Sequence, residues 1–364
     1  MYWYRNQGTD NRVDGWLGIA DASVSVGARE LCCVVAADCS FAKASNKLKQ
    51  VGQIDVSLSR LREIVEREGI QMLEARRAGL LSPNWSAQDC EVRPGGPTRV
   101  LVGGDGVMVP VITAVEKAKR RAGRKHVRRR GKVRRRVRRH RGADQGWKEF
   151  KIGLFYDARK EHGYAFATKG NHEEFGRQLR REAGKIHLSQ ADQKFSVTDG
   201  AEWLRRQMRT RLPMLDEIIL DFYHFAEHVA AASVACWGLD SHESANWTSK
   251  LLHMAKHGGP LAVLLEIAAA RTRLRSPAKR KALSSLEQYM GKRIEMMDYP
   301  RFLAAGYDIG SGPTEAKCKT VPFRLKGSGM RWDLPNAEAM AALACVDQSN
   351  LLKVYWNQQR QRVA

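Results

Sequence analysis

The stretch from 310 to 319, GSGPTEAKCK, most constrains the fold, because glycine and proline limit it to one short helix. Gly312 suits a helix N-cap and Pro313 suits the first helical position, which places Glu315 in the first turn. Pro322 predicts the end of the helix soon afterwards, because proline lacks the N–H group that another turn needs. The carboxylate of Glu315 either caps this helix or belongs to a site.

The charge of the chain is far from neutral: its 364 residues carry a formal net charge of +23. Such a large positive net charge predicts a polyanionic partner, with nucleic acid as the first candidate and an anionic membrane surface as the second. The sequence has no apolar run long enough to span a bilayer and no signal-peptide pattern. Its seven cysteines are scattered without a C-x-x-C pair, which indicates free thiols in a reducing cytoplasm.

Residues 1–81 are predicted to form an N-terminal helical region. One helix is expected from Ser23 to about Ala44, and two short helices joined near Gly52–Asp55 are expected between 45 and 69. This pair is either a helix-turn-helix that enters a DNA groove or an ordinary helical hairpin. Proline, glycine, serine and asparagine mark 82–97 as a linker.

The region 98–234 alternates strand and helix patterns in the order β-β-β-α-β-α-β-α. We predict a mixed sheet ordered 3-2-1-4-5, with an antiparallel first half and a parallel second half. The first strand is expected to be interrupted by the glycine-rich segment 103–106. An all-α insertion is predicted over 235–305, and 306–364 completes the core and ends in a helix from Ala337 to Trp356. The predicted strands are 99–109, 147–156, 163–168, 194–198 and 217–220.

The segment from Lys117 to Arg141 holds 16 lysines or arginines and no acid, so the rest of the chain carries +7. A block of like charge repels itself and cannot fold alone. It is either a solvated loop or, as we expect because it interrupts the sheet region, a phosphate-binding insertion.

Three acidic residues are candidate metal ligands. Asp105 lies in the first strand and Asp199 ends the fourth, and these strands are neighbours in the predicted sheet. An aspartate at a strand end is often only a turn or cap residue. Together with Glu315, however, the two aspartates predict a cage of oxygen ligands for two Mg²⁺ (or Mn²⁺) ions.

Several strings extend this pattern into a family resemblance: GGDGVMV, GWKEFKIG, VTDGAEWL, LDFYHFAEH and YDIGSGPTEAKCKTVPFRLKGSGMRW. From about Asp14 onwards the chain resembles bacterial insertion-sequence transposases of the DDE type, in particular the ISKra group. The resemblance implies an RNase H-like α/β core that cleaves and joins DNA strands. It also implies transposon ends and target DNA as partners, a homodimer or higher oligomer on DNA, and a nucleoid-associated place in the bacterial cytoplasm.

Carried over by motif, the resemblance makes Asp105, Asp199 and Glu315 both the catalytic residues and the metal ligands. Related groups carry an Asp-x-x-His signature, which Asp221 and His224 match. Asp221 therefore competes for the second catalytic position, but Asp199 is preferred because it precedes the signature. His224 is expected to brace the site by hydrogen bonding.

A zinc site is the alternative role for the signature, with Asp221, His224 and His228 on one helical face. The resemblance also implies DNA contacts near the glutamate and in the basic segment, although Trp332 suits core packing as well as base stacking. The expected DNA contacts are Arg128, Arg129, Arg130, Arg134, Arg135, Arg136, Lys317, Lys319, Arg324, Lys326, Arg331 and Trp332.

The chain departs from the family in two respects. It lacks the Cys-rich, zinc-ribbon-like start of its relatives, which predicts an N-terminal truncation, and its basic segment is unusually long. Two other functions therefore stay open: a nuclease of the same fold that only cuts, and an inactive DNA-binding remnant of a transposon.

Overall fold

The structure, a computed structural model, describes residues 2–4, 8–10, 24–129, 145–327 and 330–361. It is a mixed α/β fold in which a five-stranded sheet lies between two layers of helices. The strands are β1 (Tyr2–Tyr4) and β2 (Gly8–Asp10), which form a separate hairpin, and β3 (Arg99–Ile112), β4 (Gln145–Asp157), β5 (Gly163–Thr168), β6 (Gln193–Thr198) and β7 (Glu217–Leu220). The sheet order β5-β4-β3-β6-β7 confirms the predicted order.

Helices pack on both faces of this sheet. They are α1 (Val26–Ala37), α2 (Phe41–Val51), α3 (Leu58–Arg77), α4 (Ala114–Arg129), α5 (His172–Lys185), α6 (Glu202–Arg211), α7 (Phe222–Trp237), α8 (His242–Arg273), α9 (Pro277–Gly291), α10 (Tyr299–Ala304), α11 (Gly312–Thr320), α12 (Phe323–Lys326), α13 (Leu334–Gln348) and α14 (Leu352–Gln361). No helix within the described ranges is long and apolar enough to cross a bilayer.

Strand β3 continues unbroken through 103–106, which corrects the expected interruption. Its antiparallel register with β4 runs without a gap from Val100 opposite Asp157 to Ile112 opposite Gln145. Gly103 and Gly104 serve close helix packing instead. A Cβ on Gly103 would lie 1.8 Å from the Thr314 hydroxyl oxygen, on the face that α11 covers. Side chains alternate along a strand, so Asp105 shares that face.

The segment 235–305 consists of helices joined by short connections and contains no strand, as predicted. Glycine and proline divide it into separate helices. Gly259 has φ +75°, which ends the first half of α8, and Pro260 restarts the helix. Proline also lies in the first turns of α9 and α10.

In the described range 24–81 the helices have other lengths than expected: two short helices, α1 and α2, precede the longer α3. The predicted helix from Ser23 to Ala44 divides because the Ser40 side chain caps α2 and accepts a hydrogen bond from the Lys43 amide. Helix α3 packs directly on α13: a Cβ on Gly69 would lie 2.6 Å from the Ala339 carbonyl oxygen. This burial favours the helical hairpin over a helix-turn-helix whose second helix is free to enter DNA.

The segment 82–97 is packed against the core. Trp85, Ala87 and Cys90 are buried, and Glu91 forms an isolated bridge with Thr98. The glycine and proline content that indicated a linker thus reflects tight turns in an ordered connection.

The predicted closing helix is two helices, α13 and α14, separated at Asn350, which has φ +57°. The break places Ser349 beside the outer strand β5, where its Oγ accepts a hydrogen bond from the Ala165 amide at 2.9 Å. Arg76 donates to the Ala165 carbonyl from the same side at 2.8 Å. Side chains thereby pair backbone groups that an edge strand would leave open.

The structure describes the start of the basic segment, as far as Arg129. It is helical as far as Arg129, and the Lys117 ammonium group pairs with Asp333 at 2.5 Å.

We expect Gly103→Ala to lower the free energy of unfolding by about 1–3 kcal/mol, because its methyl group would overlap Thr314. Adding Thr314→Ala should restore part of the loss. Gly163→Ala is the matched control in β5, since no atom lies within 4 Å of its Cβ position. Urea unfolding of the four proteins checks this, and equal stabilities would contradict the close packing of α11 on β3.

Candidate active site

Three aspartates lie at the same level on neighbouring parallel strands. The pairing of β3 with β6 matches Val102 with Ser196, and continuing that register places Asp105 level with Asp199. The pairing of β6 with β7 matches Thr198 with Leu220, so Asp199 is in turn level with Asp221. The carboxyl ends of parallel strands are a common place for binding sites. The predicted sheet order thus brings these acids to one edge.

Asp105 is a half-buried carboxylate, and no lysine or arginine in the described ranges forms an ion pair with it. Its Oδ1 accepts a hydrogen bond from the Gly106 amide at 2.6 Å. Burial raises the pKa of Asp105 despite this bond, and the charges of Asp199 and Glu149 raise it further. An added cation would relieve this electrostatic cost.

Asp199 occupies a tight turn between β6 and α6. Its Oδ1 accepts a hydrogen bond from the Ala201 amide at 2.9 Å, and Gly200 has φ +75°. The Oδ2 atom has no hydrogen-bond partner in the described part of the chain, so Asp199 keeps one oxygen for a ligand.

Asp221 uses both of its oxygens inside the protein. Oδ1 accepts from the amides of Tyr223 (2.7 Å) and His224 (3.1 Å), which caps α7. Oδ2 accepts from the Ser311 amide at 2.7 Å and from the Ser311 hydroxyl. Asp221 is also buried. These four bonds make it the clamp between α7 and α11, which favours Asp199 as the second catalytic acid.

Glu315 lies in the first turn of α11, as predicted, although the N-cap is Ser311 and the helix already includes Gly312. Its side chain is exposed and pairs with Lys319 at 2.5 Å. The helix ends at Thr320, just before Pro322, also as predicted.

Cys318 is a buried thiol near the predicted catalytic acids, and the sequence analysis did not single it out. It is buried three residues after Glu315, a spacing that places both on one helical face. Burial raises the pKa of the Cys318 thiol to about 12, and the charges of Asp105, Asp199 and Glu315 act in the same direction. The thiol therefore lies within electrostatic reach of all three predicted catalytic acids.

The donor chemistry of this trio suits Mg²⁺ or Mn²⁺, because carboxylate oxygens are hard ligands and Asp105 gains from a nearby cation. As the side chains stand, no three His, Cys, Asp or Glu groups in the described ranges converge closely enough to hold one ion.

Among the described residues, the ring of His224 forms no hydrogen bond to Asp105, Asp199 or Glu315. Its Nδ1 lies 3.5 Å from a Glu227 oxygen, while its charge in the protonated state lowers the pKa of Asp105. The His228 ring stacks on Tyr289 with 3.8 Å between ring centroids. With Asp221 fully bonded, the geometry gives no support to the zinc alternative.

Two predicted DNA contacts are buried, which corrects their assignment. Arg324 is 4% exposed and donates to the Ala36 carbonyl at 3.2 Å. Its guanidinium lies over the rings of Phe41 and Trp332, at 4.7 and 5.4 Å from their centroids. Trp332 is 4% exposed and packs in the core, so it is not available to stack on a base.

The other predicted contacts differ in accessibility. Lys317 is half-buried and donates to the Gln348 carbonyl, whereas Lys326 and Arg331 are exposed and Lys319 is exposed but paired with Glu315. For Arg128 and Arg129 only the helical backbone is described. Outside the described residues lie Arg130, Arg134, Arg135 and Arg136.

Comparison of the chain with models of known protein families and with curated proteins found no match.

We expect Asp221→Asn to lower the free energy of unfolding by about 2–3 kcal/mol, because an amide nitrogen cannot accept the hydrogen bonds from Ser311. Asp199→Asn is the matched control and should change stability by less than about 0.5 kcal/mol, since its amide oxygen still accepts from Ala201. Denaturant unfolding measures both. Equal losses would mean that Asp221 is not the clamp.

Asp105→Asn should make the protein at least as stable as the wild type at neutral pH. Because the folded state raises the pKa of Asp105, wild-type stability falls as pH rises from the ordinary aspartate pKa through the folded one. The variant lacks this loss, so the free energies of unfolding of the two proteins should become similar at lower pH. Unfolding without divalent metal on both sides of this window is the measurement, and a variant that is less stable only at neutral pH would contradict the electrostatic argument.

Proposed function

We propose that this chain is a DDE-type transposase with an RNase H-like core, of the insertion-sequence group that its motifs resemble. The observation that supports this best is the placement of Asp105 and Asp199 at one level of adjacent strands, beneath the helix that carries Glu315. Three acids from distant parts of the sequence thereby lie near enough to the buried Cys318 thiol that their charges add to the rise in its pKa that burial causes.

The oxygens of Asp105, Asp199 and Glu315 would hold two Mg²⁺ or Mn²⁺ ions, which activate water and stabilise the leaving 3′ oxygen of a phosphodiester. The protein itself positions these oxygens. The β3–β6 pairing aligns the aspartates, and Asp221 holds the start of α11 through Ser311. The net charge of +23 and the exposed Lys326 and Arg331 suit a DNA backbone beside the acids.

Asp105→Asn, Asp199→Asn and Glu315→Gln should each reduce metal-dependent cleavage of DNA by about 10³-fold or more, without additive losses in double variants. Binding of DNA without metal should persist. Glu161→Gln, at an exposed acid near the β4–β5 turn, is the control and should keep wild-type cleavage.

The assay uses DNA that carries the ends of the element, with Mg²⁺ or Mn²⁺, and scores both cut and joined strands. Cutting without joining would identify a nuclease of the same fold. A wild-type protein that binds DNA but neither cuts nor joins it would identify the non-catalytic alternative.

A further inference from the structure

The all-α insertion reaches the predicted catalytic centre through Arg293, which follows helix α9. The Nε of Arg293 donates to the Gly200 carbonyl at 3.1 Å, and Nη1 donates to the Tyr289 carbonyl at 3.1 Å. The guanidinium also lies over the Tyr289 ring, 4.1 Å from its centroid. Two hydrogen bonds and one stacking contact thus hold the arginine in one orientation.

The contact falls on the residue directly after Asp199. Gly200 has φ +75°, a conformation that glycine adopts without strain. A Cβ at this position would lie 2.6 Å from the Arg293 Nε, so any other residue would also displace the arginine. The turn and the arginine therefore depend on each other.

The surroundings of Arg293 indicate a role other than charge pairing. No carboxylate of the described residues lies within 4 Å of its guanidinium, although Asp199 and Asp221 are near enough to raise the pKa of Tyr289. Burial lowers the pKa of His228, and the charges of His224 and Arg293 lower it further, so neutral His228 stacks on Tyr289. His228, Tyr289 and Arg293 form a continuous column from α7 to the Asp199 turn.

We propose that Arg293 is a positioning residue: it holds the Asp199 carboxylate in its ligand-binding orientation by fixing the Gly200 peptide. The inference rests on the proposed function and makes the all-α insertion part of the metal site. The chain offers a matched control in Arg205, whose Nη1 donates to the Lys292 carbonyl at 2.6 Å. Arg205 also pairs with Glu295 at 3.5 Å, so it anchors the same junction of the insertion but has no hydrogen bond to Gly200.

The test compares Arg293→Ala, Arg293→Lys and Arg205→Ala in the full chain. Arg293→Ala should weaken Mn²⁺ affinity, measured by calorimetry, by about 10–100-fold, as is typical when a group supporting a metal ligand is lost. It should also speed hydrogen exchange at the Gly200 and Ala201 amides, which bond to Thr198 and Asp199. Arg293→Lys should lie between Arg293→Ala and the wild type, and Arg205→Ala should match the wild type in both measurements.

If Arg293→Ala and Arg205→Ala have the same Mn²⁺ affinity and the same exchange rates, the positioning role is overturned. If the wild type binds Mn²⁺ no better than Asp199→Asn, the proposed metal chemistry fails instead. In that case hydrogen exchange at the Gly200 and Ala201 amides alone tests the role of Arg293. Faster exchange only in Arg293→Ala supports the positioning role, and unchanged exchange overturns it.

Discussion

The arrangement of the candidate site depends on the four hydrogen bonds of the Asp221 carboxylate. One oxygen caps α7 and the other binds the amide and hydroxyl of Ser311, directly before α11. These bonds join the end of β7 to a segment 90 residues later. The segments before and after the all-α insertion are therefore held together at the same end of the sheet. A carboxylate is needed because only two acceptor oxygens can serve donors on both sides.

The site also depends on strand β3, because helices pack closely against this strand on both faces of the sheet. Gly103 admits Thr314 of α11, and a Cβ on Gly104 would meet Leu204 and Phe175 on the opposite face at 3.1 and 3.2 Å. Because Gly103 has no side chain, α11 lies closer to the sheet, and this brings Glu315 toward Asp105. Burial under this close packing raises the pKa of Asp105, and the charges of Asp199 and Glu149 raise it further, so the site is electrostatically suited to a cation.

Much of the fold was predictable because the signals were local. Alternating residues in 147–156 and 163–168 indicated antiparallel strands, and the structure pairs these two segments in that way. The interruption expected in β3 was wrong because glycine in a strand signals either a break or a close neighbour, and the neighbour, Thr314, is 211 positions away. The division at Asn350 was likewise unpredictable, since it serves the contact of Ser349 with the edge of β5.

The sequence by itself determined the five strands and their succession along the chain, the helical insertion, the short helix of Glu315 and the strong positive charge. Each of these follows from periodicity, proline and glycine positions or composition, which act over a few residues. Only the tertiary structure decided that Asp221 is a clamp, that Arg324 and Trp332 are interior, that Cys318 lies near the acids, and that Arg293 contacts the turn after Asp199. Burial and pairing depend on residues brought together from distant parts of the chain, and no local pattern records them.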